Sequence, residues 1–232
     1  MPVLAFDTSA AVSVALIDSG GVTLAARVVH EKRRHAEQLA PMIAEVLAST
    51  GTDRTELTGV VVGTGPAPFT GLRVGLVTAR TLGLALGIGV HGVCSLDAIA
   101  AQAADDLALA AGTEVLVVTD ARRREVYWAR YRTAIGAGGA VVVELLAGPG
   151  VASAAQVAAD GLAEGAVVVG PGASLYPQAL PPVDGAPTDP DPAVLARLAA
   201  ARLARGEELP TTPLYLRRPD VMPPAERKRA LA

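Results

Sequence analysis

From residue 70 to residue 87 the chain reads Thr-Gly-Leu-Arg-Val-Gly-Leu-Val-Thr-Ala-Arg-Thr-Leu-Gly-Leu-Ala-Leu-Gly, and its apolar spacing predicts a helix from Thr70 onward. Small residues recur at every fourth position: Gly71, Gly75, Ala79, Gly83 and Gly87. A glycine inside a helix costs about 1 kcal/mol relative to alanine, so several of them require a compensating role. Spacing of four puts them in one stripe along one face. A stripe without side chains lets another backbone approach closely, the logic of small-xxx-small packing. Any fold for this chain must supply what approaches.

Length and composition narrow the choice. At 232 residues the chain makes one large domain or two small ones. It is 51% hydrophobic but only 3% aromatic, so its core is built from Ala, Val, Leu and Ile. A net charge of −3 gives no global signal for nucleic acid or membranes. Cys94 is the single cysteine, which excludes an internal disulfide and fits a reducing, cytoplasmic setting. Met1-Pro-Val-Leu-Ala-Phe-Asp7 has no basic region before its apolar residues and does not read as a signal peptide. The apolar stretch 74–94 carries Arg80 and His91. A buried helix followed by a strand accounts for it better than a membrane span.

The element order follows from periodicity. Val3–Phe6, Val12–Asp18 and Val22–Val29 read as strands of an antiparallel meander, with Ser19-Gly20-Gly21 as a tight turn. His35–Thr50 places Leu39, Met42, Ile43, Val46 and Leu47 on one helical face, and Gly51 follows it. Leu57–Gly63 is a buried strand, the small-residue helix comes next, and Ile88–Cys94 is a further strand. Ser95 opens a helix reaching about Ala104. The order β-β-β-α-β-α-β-α implies a mixed sheet with parallel later strands. A boundary falls near 104–112, giving lobes 1–104 and 105–232, with the last segment able to pack back on the first lobe. In the second lobe Glu114–Thr119 and Glu125–Arg132 form a hairpin around Asp120–Arg124. Strands at Val141–Leu146 and Ala166–Val169, a short helix at Ser153–Ala159 and a helix over Pro192–Arg205 complete it.

Several constellations could carry chemistry. Gly63-Thr64-Gly65-Pro66 lies between a strand and a helix, where backbone amides can cradle phosphate. It has no Gly-Lys-Ser/Thr, and Pro68 stands where Gly-x-Gly-x-x-Gly needs its third glycine. Pro66 and Pro68 also remove amide donors, so a rigid corner is the simpler reading. Asp7-Thr8-Ser9 closes the first strand and reads either as the remnant of a phosphate- and metal-holding turn or as an Asx turn. His30, His35 and His91 are too scattered for a local metal motif. Arg122–Arg124 beside Asp120 could meet phosphate or form a solvated turn, and Arg217, Arg218, Arg227, Lys228 and Arg229 give a basic terminus that could touch RNA. No catalytic, metal-ligating or cofactor-binding residue is assigned from these patterns.

Phe6-Asp7-Thr8-Ser9, His35-Ala36-Glu37-Gln38-Leu39 and Gly63-Thr64-Gly65-Pro66-Ala67-Pro68-Phe69-Thr70-Gly71-Leu72-Arg73-Val74-Gly75 resemble the TsaB (YeaZ) family. Asp120-Ala121-Arg122, Glu125-Val126-Tyr127 and the stretch Tyr215–Asp220 fit it too. The one departure is Ala67-Pro68, where the family usually reads Gly-Ser. The resemblance implies a two-lobed actin/sugar-kinase-like α/β fold, each lobe a mixed sheet flanked by helices. It implies a non-catalytic part in forming N6-threonylcarbamoyladenosine at position 37 of tRNAs, without a cofactor of its own. The implied partners are the paralogous catalytic subunit TsaD and the ATPase TsaE, with tRNA met through the complex and a homodimer when alone. TsaD holds its metal through two histidines four apart; here the matching stretch, His91-Gly92-Val93-Cys94-Ser95, has only the first. Family dimers pack the two helices of the first lobe against the partner's pair, so Leu39, Met42, Leu72, Gly75, Ala79 and Leu82 are expected at that contact. The alternative is an actin-like ATPase or sugar kinase, which needs a phosphate loop in the second lobe. Val169-Gly170-Pro171-Gly172-Ala173 is the candidate there.

Overall fold

A computed structural model describes residues 2–30, 35–136 and 141–217. Strands β1 (Val3–Asp7), β2 (Val12–Ile17) and β3 (Thr23–Val29) form the expected meander. After α1 (His35–Thr50), β4 (Gly59–Gly63) runs parallel to β1. After α2 (Phe69–Leu86), β5 (Gly89–Val93) runs parallel to β4, giving the order β3-β2-β1-β4-β5. Alternation along the central strands decides what covers each face. Leu4, Phe6, Val14, Leu16, Val60 and Val62 form a core with α1 and α2. Ala5, Ala15 and Val61 face the other way, against Ala193, Ala196 and Ala199 of α6 (Pro192–Ala204). Alanine on both sides of that second layer lets the helix lie close to the sheet.

The second sheet repeats this logic. Strands β6 (Glu114–Arg122), β7 (Glu125–Ile135) and β8 (Val141–Ser153) form a meander, and β9 (Ala166–Val169) runs parallel to β6. The order is β8-β7-β6-β9. Helix α3 (Ser95–Asp106) covers one face, with Leu96, Ile99, Ala100 and Ala103 against Val115, Val117 and Tyr131. Helices α4 (Ala154–Ala159) and α5 (Pro171–Leu175) cover the other, around Leu116, Val118 and Val126. Each sheet thus borrows a helix across the midpoint of the chain: α3 packs on the second sheet and α6 on the first. A cut at 104/105 passes through α3 itself.

The borrowed helices are tied together. Asp97 of α3 accepts from Tyr131 Oη at 2.7 Å and from Arg202 Nη2 of α6 at 2.6 Å. Asp97 and Tyr131 are buried, so the pair is matched by a hydrogen bond on the remaining carboxylate oxygen, as a buried charge requires. Burial and the adjacent Asp97 charge push the Tyr131 hydroxyl well above its ordinary range.

Gly75, Ala79 and Gly83 of the α2 stripe face their own lobe, as do most of the residues expected at a partner contact. Leu39, Met42, Leu72 and Ala79 are at most 4% exposed and belong to the core beneath α1 and α2. Leu82 is half-buried at the margin of that core. A Cβ on Gly75 would stand 2.5 Å from Thr8 Oγ1, whose hydroxyl donates to the Gly71 carbonyl at 2.8 Å. A Cβ on Gly83 would collide with Val90 of β5. The approaching elements are the β1–β2 turn at one end of the helix and β5 at the other. The outward face of α2 carries Arg73, Val77, Arg80 and Leu84, with Val77 60% and Leu84 88% exposed. On α1 the exposed positions include Ala40, Ala44 and Ala48.

Beyond α6 an extended strap, residues 207–217, crosses the first lobe to reach the second. Gly92 N donates to Leu209 O and Leu214 N donates to Thr64 O. Arg80 holds Thr211 through both its side chain and carbonyl. The Tyr215 ring lies 5.0 Å from that of Phe69, and its hydroxyl accepts from Arg73 Nε at 2.9 Å. Arg217 then donates to the Ala121 carbonyl and pairs with Glu125 across the second lobe's hairpin.

Candidate functional site

The first lobe meets the second around Asp7, at the end of β1. Its carboxylate is fully buried. Oδ1 accepts from the amide and hydroxyl of Ser9, at 2.6 and 2.5 Å, and Oδ2 accepts from Ser95 Oγ at 2.5 Å. Ser95 Oγ in turn accepts from Gly65 N at 3.2 Å, and Ser95 N donates to Gly65 O. Burial pushes the Asp7 carboxyl above its usual range, while the Ser9 and Ser95 bonds oppose the shift. The Asx turn is therefore the reading that the geometry supports, extended by a serine from α3. Gly63 exists for this cluster: a Cβ there would fall on Asp7 Oδ2.

The strand-to-helix corner is equally committed. The Gly65 amide serves Ser95, Thr64 N donates to Val93 O, and Pro66 and Pro68 have no amide hydrogen. Gly65 adopts φ +83°, a left-handed value that favours glycine. In the second lobe, a Cβ on Gly170 or Gly172 would run into the Val118 backbone. These glycines seat α5 on β6, and Gly170 caps that helix with φ +94°.

Between the lobes lies a cavity of about 860 Å³, lined in part by Thr8, Ser9, Thr70, Asp120, Arg122 and Asp189. Asp120 is held locally, accepting from the Arg122 amide at 2.7 Å and pairing with its guanidinium at 3.0 Å. His30 stands 3.6 Å from Asp189 at the rim. His91 sits on β5, where burial lowers its tendency to protonate. Burial likewise pushes the Cys94 thiol up, away from thiolate. Among the described residues no three His, Cys, Asp or Glu gather as a metal site, and no helix is long and apolar enough to cross a membrane. The His35 side chain and the basic positions Arg218, Arg227, Lys228 and Arg229 lie outside the described residues. Sequence reasoning missed Ser95 as a partner of Asp7, because 88 residues separate them. The reading that the last segment could pack back on the first lobe named none of the strap's anchoring residues, Gly92, Thr64, Arg80 and Arg73.

Both sheets are antiparallel meanders extended by parallel strands, two in the first (order 3-2-1-4-5) and one in the second (order 3-2-1-4), with helices exchanged between them, the two-lobed actin/sugar-kinase-like arrangement. A family model described as TsaD, tRNA N6-adenosine threonylcarbamoyltransferase, matches residues 23–172. An uncharacterized protein of Mycobacterium tuberculosis is 44% identical over 223 residues, 95% of this chain and 94% of that protein. The tRNA threonylcarbamoyladenosine biosynthesis protein TsaB of Escherichia coli is 37% identical over 133 residues, 57% of this chain and 55% of that protein. The solved structure of YeaZ from Pseudomonas aeruginosa is 30% identical, with a TM-score of 0.76 over 93% of this chain and 100% of that one. The chain belongs to the TsaB (YeaZ) family.

Proposed function

We propose that this chain is a non-catalytic subunit in tRNA threonylcarbamoyladenosine biosynthesis, pairing with and activating the TsaD-type transferase subunit, with a TsaE-type ATPase as third partner. The observation that carries this reading is the closed state of the Asp7 turn. In a nucleotide-using relative of this fold, the turn after the first strand offers its polar groups to phosphate and metal. Here Ser9 and Ser95 take both Asp7 oxygens, and the neighbouring Gly65 amide is taken by Ser95. A fold that retains two lobes and a cleft while its polar turn is internally satisfied fits a structural role for the lobes.

The contact to the transferase belongs on the outward faces of α1 and α2, around Ala40, Ala44, Val77 and Leu84. The alanines allow close helix approach, and Val77 and Leu84 are large apolar side chains left in water. Gly75→Leu does not test this contact, because its side chain meets Thr8 before any partner. Val77→Arg with Leu84→Arg does. Co-expression with the TsaD-type subunit of the same genome should give co-purification with the wild-type chain and loss of it with the double variant, at unchanged melting temperature. Retention of the partner by the double variant would remove this surface from the proposal. Micromolar ATP binding with hydrolysis by the chain alone would replace the proposal with the actin-like ATPase reading.

A further inference from the structure

The outward face of α2 carries two arginines along with its two large apolar side chains. Arg73, Val77, Arg80 and Leu84 follow one another at spacings of four, three and four, which places them on one stripe of the helix. All four are exposed. Val77 lies between the two charges and Leu84 one turn beyond them. Helix α2 and strap residues 209–217 contain no aspartate or glutamate. The strap's acids, Glu207 and Glu208, precede the residues that α2 holds, and Glu207 pairs with Arg205. Among the described residues no carboxylate pairs with Arg73 or Arg80.

The strap holds both guanidinium groups in place without neutralising them. Arg80 donates from Nε to Thr211 Oγ1 at 2.9 Å and from Nη2 to the Thr211 carbonyl. Arg73 donates from Nε to Tyr215 Oη, and its guanidinium carbon lies 3.5 Å from the centre of the Phe69 ring. Stacking takes a face of that planar group and spares its edge donors. The strap uses two of the five Arg80 donors and one of the five on Arg73. Tying a strap down needs donors but not charge, and neutral side chains supply donors too. What arginine adds is a permanent charge and a fork whose geometry fits a carboxylate. Fixing such long side chains beforehand removes part of the ordering cost that a partner would otherwise meet.

We propose that Arg73 and Arg80, held by the strap, are charged clamps for the TsaD-type subunit, one on either side of Val77. This rests on the reading of the chain as that subunit's companion and adds the chemistry of the face it meets. That face presents an apolar ridge to Val77 and Leu84 and two carboxylates about 10 Å apart, the rise of seven helical residues. Charge complementarity selects carboxylates, because the stripe holds two unpaired cations and α2 holds no acid. Tyrosine and arginine carry much of the binding energy at protein interfaces. The cluster of Phe69, Arg73 and Tyr215 has that composition, with Tyr215 41% exposed. The strap is thereby part of the partner surface.

The test titrates the full chain against the TsaD-type subunit of the same genome by calorimetry, at about 50 and about 500 mM salt. The wild type should bind more weakly at high salt, where exposed charge pairs are screened. Arg73→Gln with Arg80→Gln keeps amide donors for the strap and removes both charges. It should bind at least about tenfold more weakly than wild type at low salt and within about threefold of it at high salt. Thr211→Val with Tyr215→Phe keeps both charges and removes the side-chain acceptors that fix them. That variant should bind a few-fold more weakly, with the salt dependence of the wild type. Equal salt dependence in the glutamine variant and the wild type would overturn the proposal, because the arginines would then only anchor the strap. Loss of self-association by the glutamine variant, with unchanged pairing to the TsaD-type subunit, would overturn it in favour of a second copy of this chain. Pairing that is lost with Val77→Arg and Leu84→Arg but indifferent to the glutamine variant removes the clamps and leaves the functional reading standing. A wild type that does not pair at all overturns both.

Discussion

At the scale of single residues, Asp7 and Gly63 make the clearest pair. The glycine at 63 has no turn to make; it is the space that the Asp7 carboxylate occupies. Gly63→Ala should lower stability by about 1–3 kcal/mol, the usual range for overpacking, measured by urea unfolding. Asp7 also imposes a pH dependence. Its folded pKa lies above the ordinary 3.8, so the folded state holds this proton after the unfolded chain has lost it. Its contribution is greatest below about pH 4 and falls as pH rises through the folded value. Asp7→Asn removes that titration. The stability difference, wild type minus variant, should shift toward the wild type as pH drops from 7 to 4, and a difference independent of pH would contradict this assignment. The Asp-Thr-Ser turn was legible as an Asx turn, but its third partner was not. Ser95 reads locally as the start of a helix, and only the sheet's closure brings it to Asp7.

At the scale of elements, α2 shows how far periodicity reaches. The spacing of Gly71, Gly75, Ala79, Gly83 and Gly87 called for a helix that another backbone approaches, whereas the groups that meet Gly75 and Gly83 most closely are side chains. The spacing carried no information about which ones. Thr8 and Val90 occupy the two ends of the stripe, and the residues expected at a partner contact are the ones that the lobe itself buries. Gly75 and Gly83 should therefore behave differently from Gly87, which ends the helix at φ +66° with open space around it. Gly83→Ala should destabilise despite its better helix propensity, because its methyl meets Val90. Gly87→Ala should cost about 1 kcal/mol through backbone strain alone. Combining Gly83→Ala with Val90→Ala should recover part of the loss in the first case. No cavity-making change has that effect at Gly87. The meanders, α1, β4 and β5 were legible because each is a short run with one clear period. Helix α5 was not: Gly170-Pro171-Gly172 looks like a loop, and its glycines serve close packing on Val118.

At the scale of the whole molecule, the exchange of α3 and α6 joins the lobes. Asp97, Tyr131 and Arg202 stand at that crossing, from α3, β7 and α6. Removing one member of such a buried pair leaves an uncompensated charge. Arg202→Ala should cost about 3 kcal/mol, read as a lower urea midpoint with a single shared transition for both lobes. Two separate transitions in the wild type would show that the lobes fold independently and that this crossing does not couple them. The strap adds a second tie, from Leu209 beside Gly92 to Arg217 beside Ala121. The residue partners of neither tie could be read from the chain in order, since Asp97 and Arg202 are 105 residues apart and Arg217 and Ala121 are 96 apart.

The sequence by itself determined the element order apart from α5, the mixed character of the first sheet, the aliphatic core and the family, and the family resemblance implied the mixed second sheet. These follow from local period, turn chemistry and motif, all of which act over a few neighbouring residues. Only the tertiary structure decided which face each helix buries, why Gly63 and Gly75 lack side chains, and that Arg73 and Arg80 hold the strap. Those depend on groups far apart in the chain meeting at distances of a few ångströms. Hydrophobic periodicity says that a face is covered; it does not say by what.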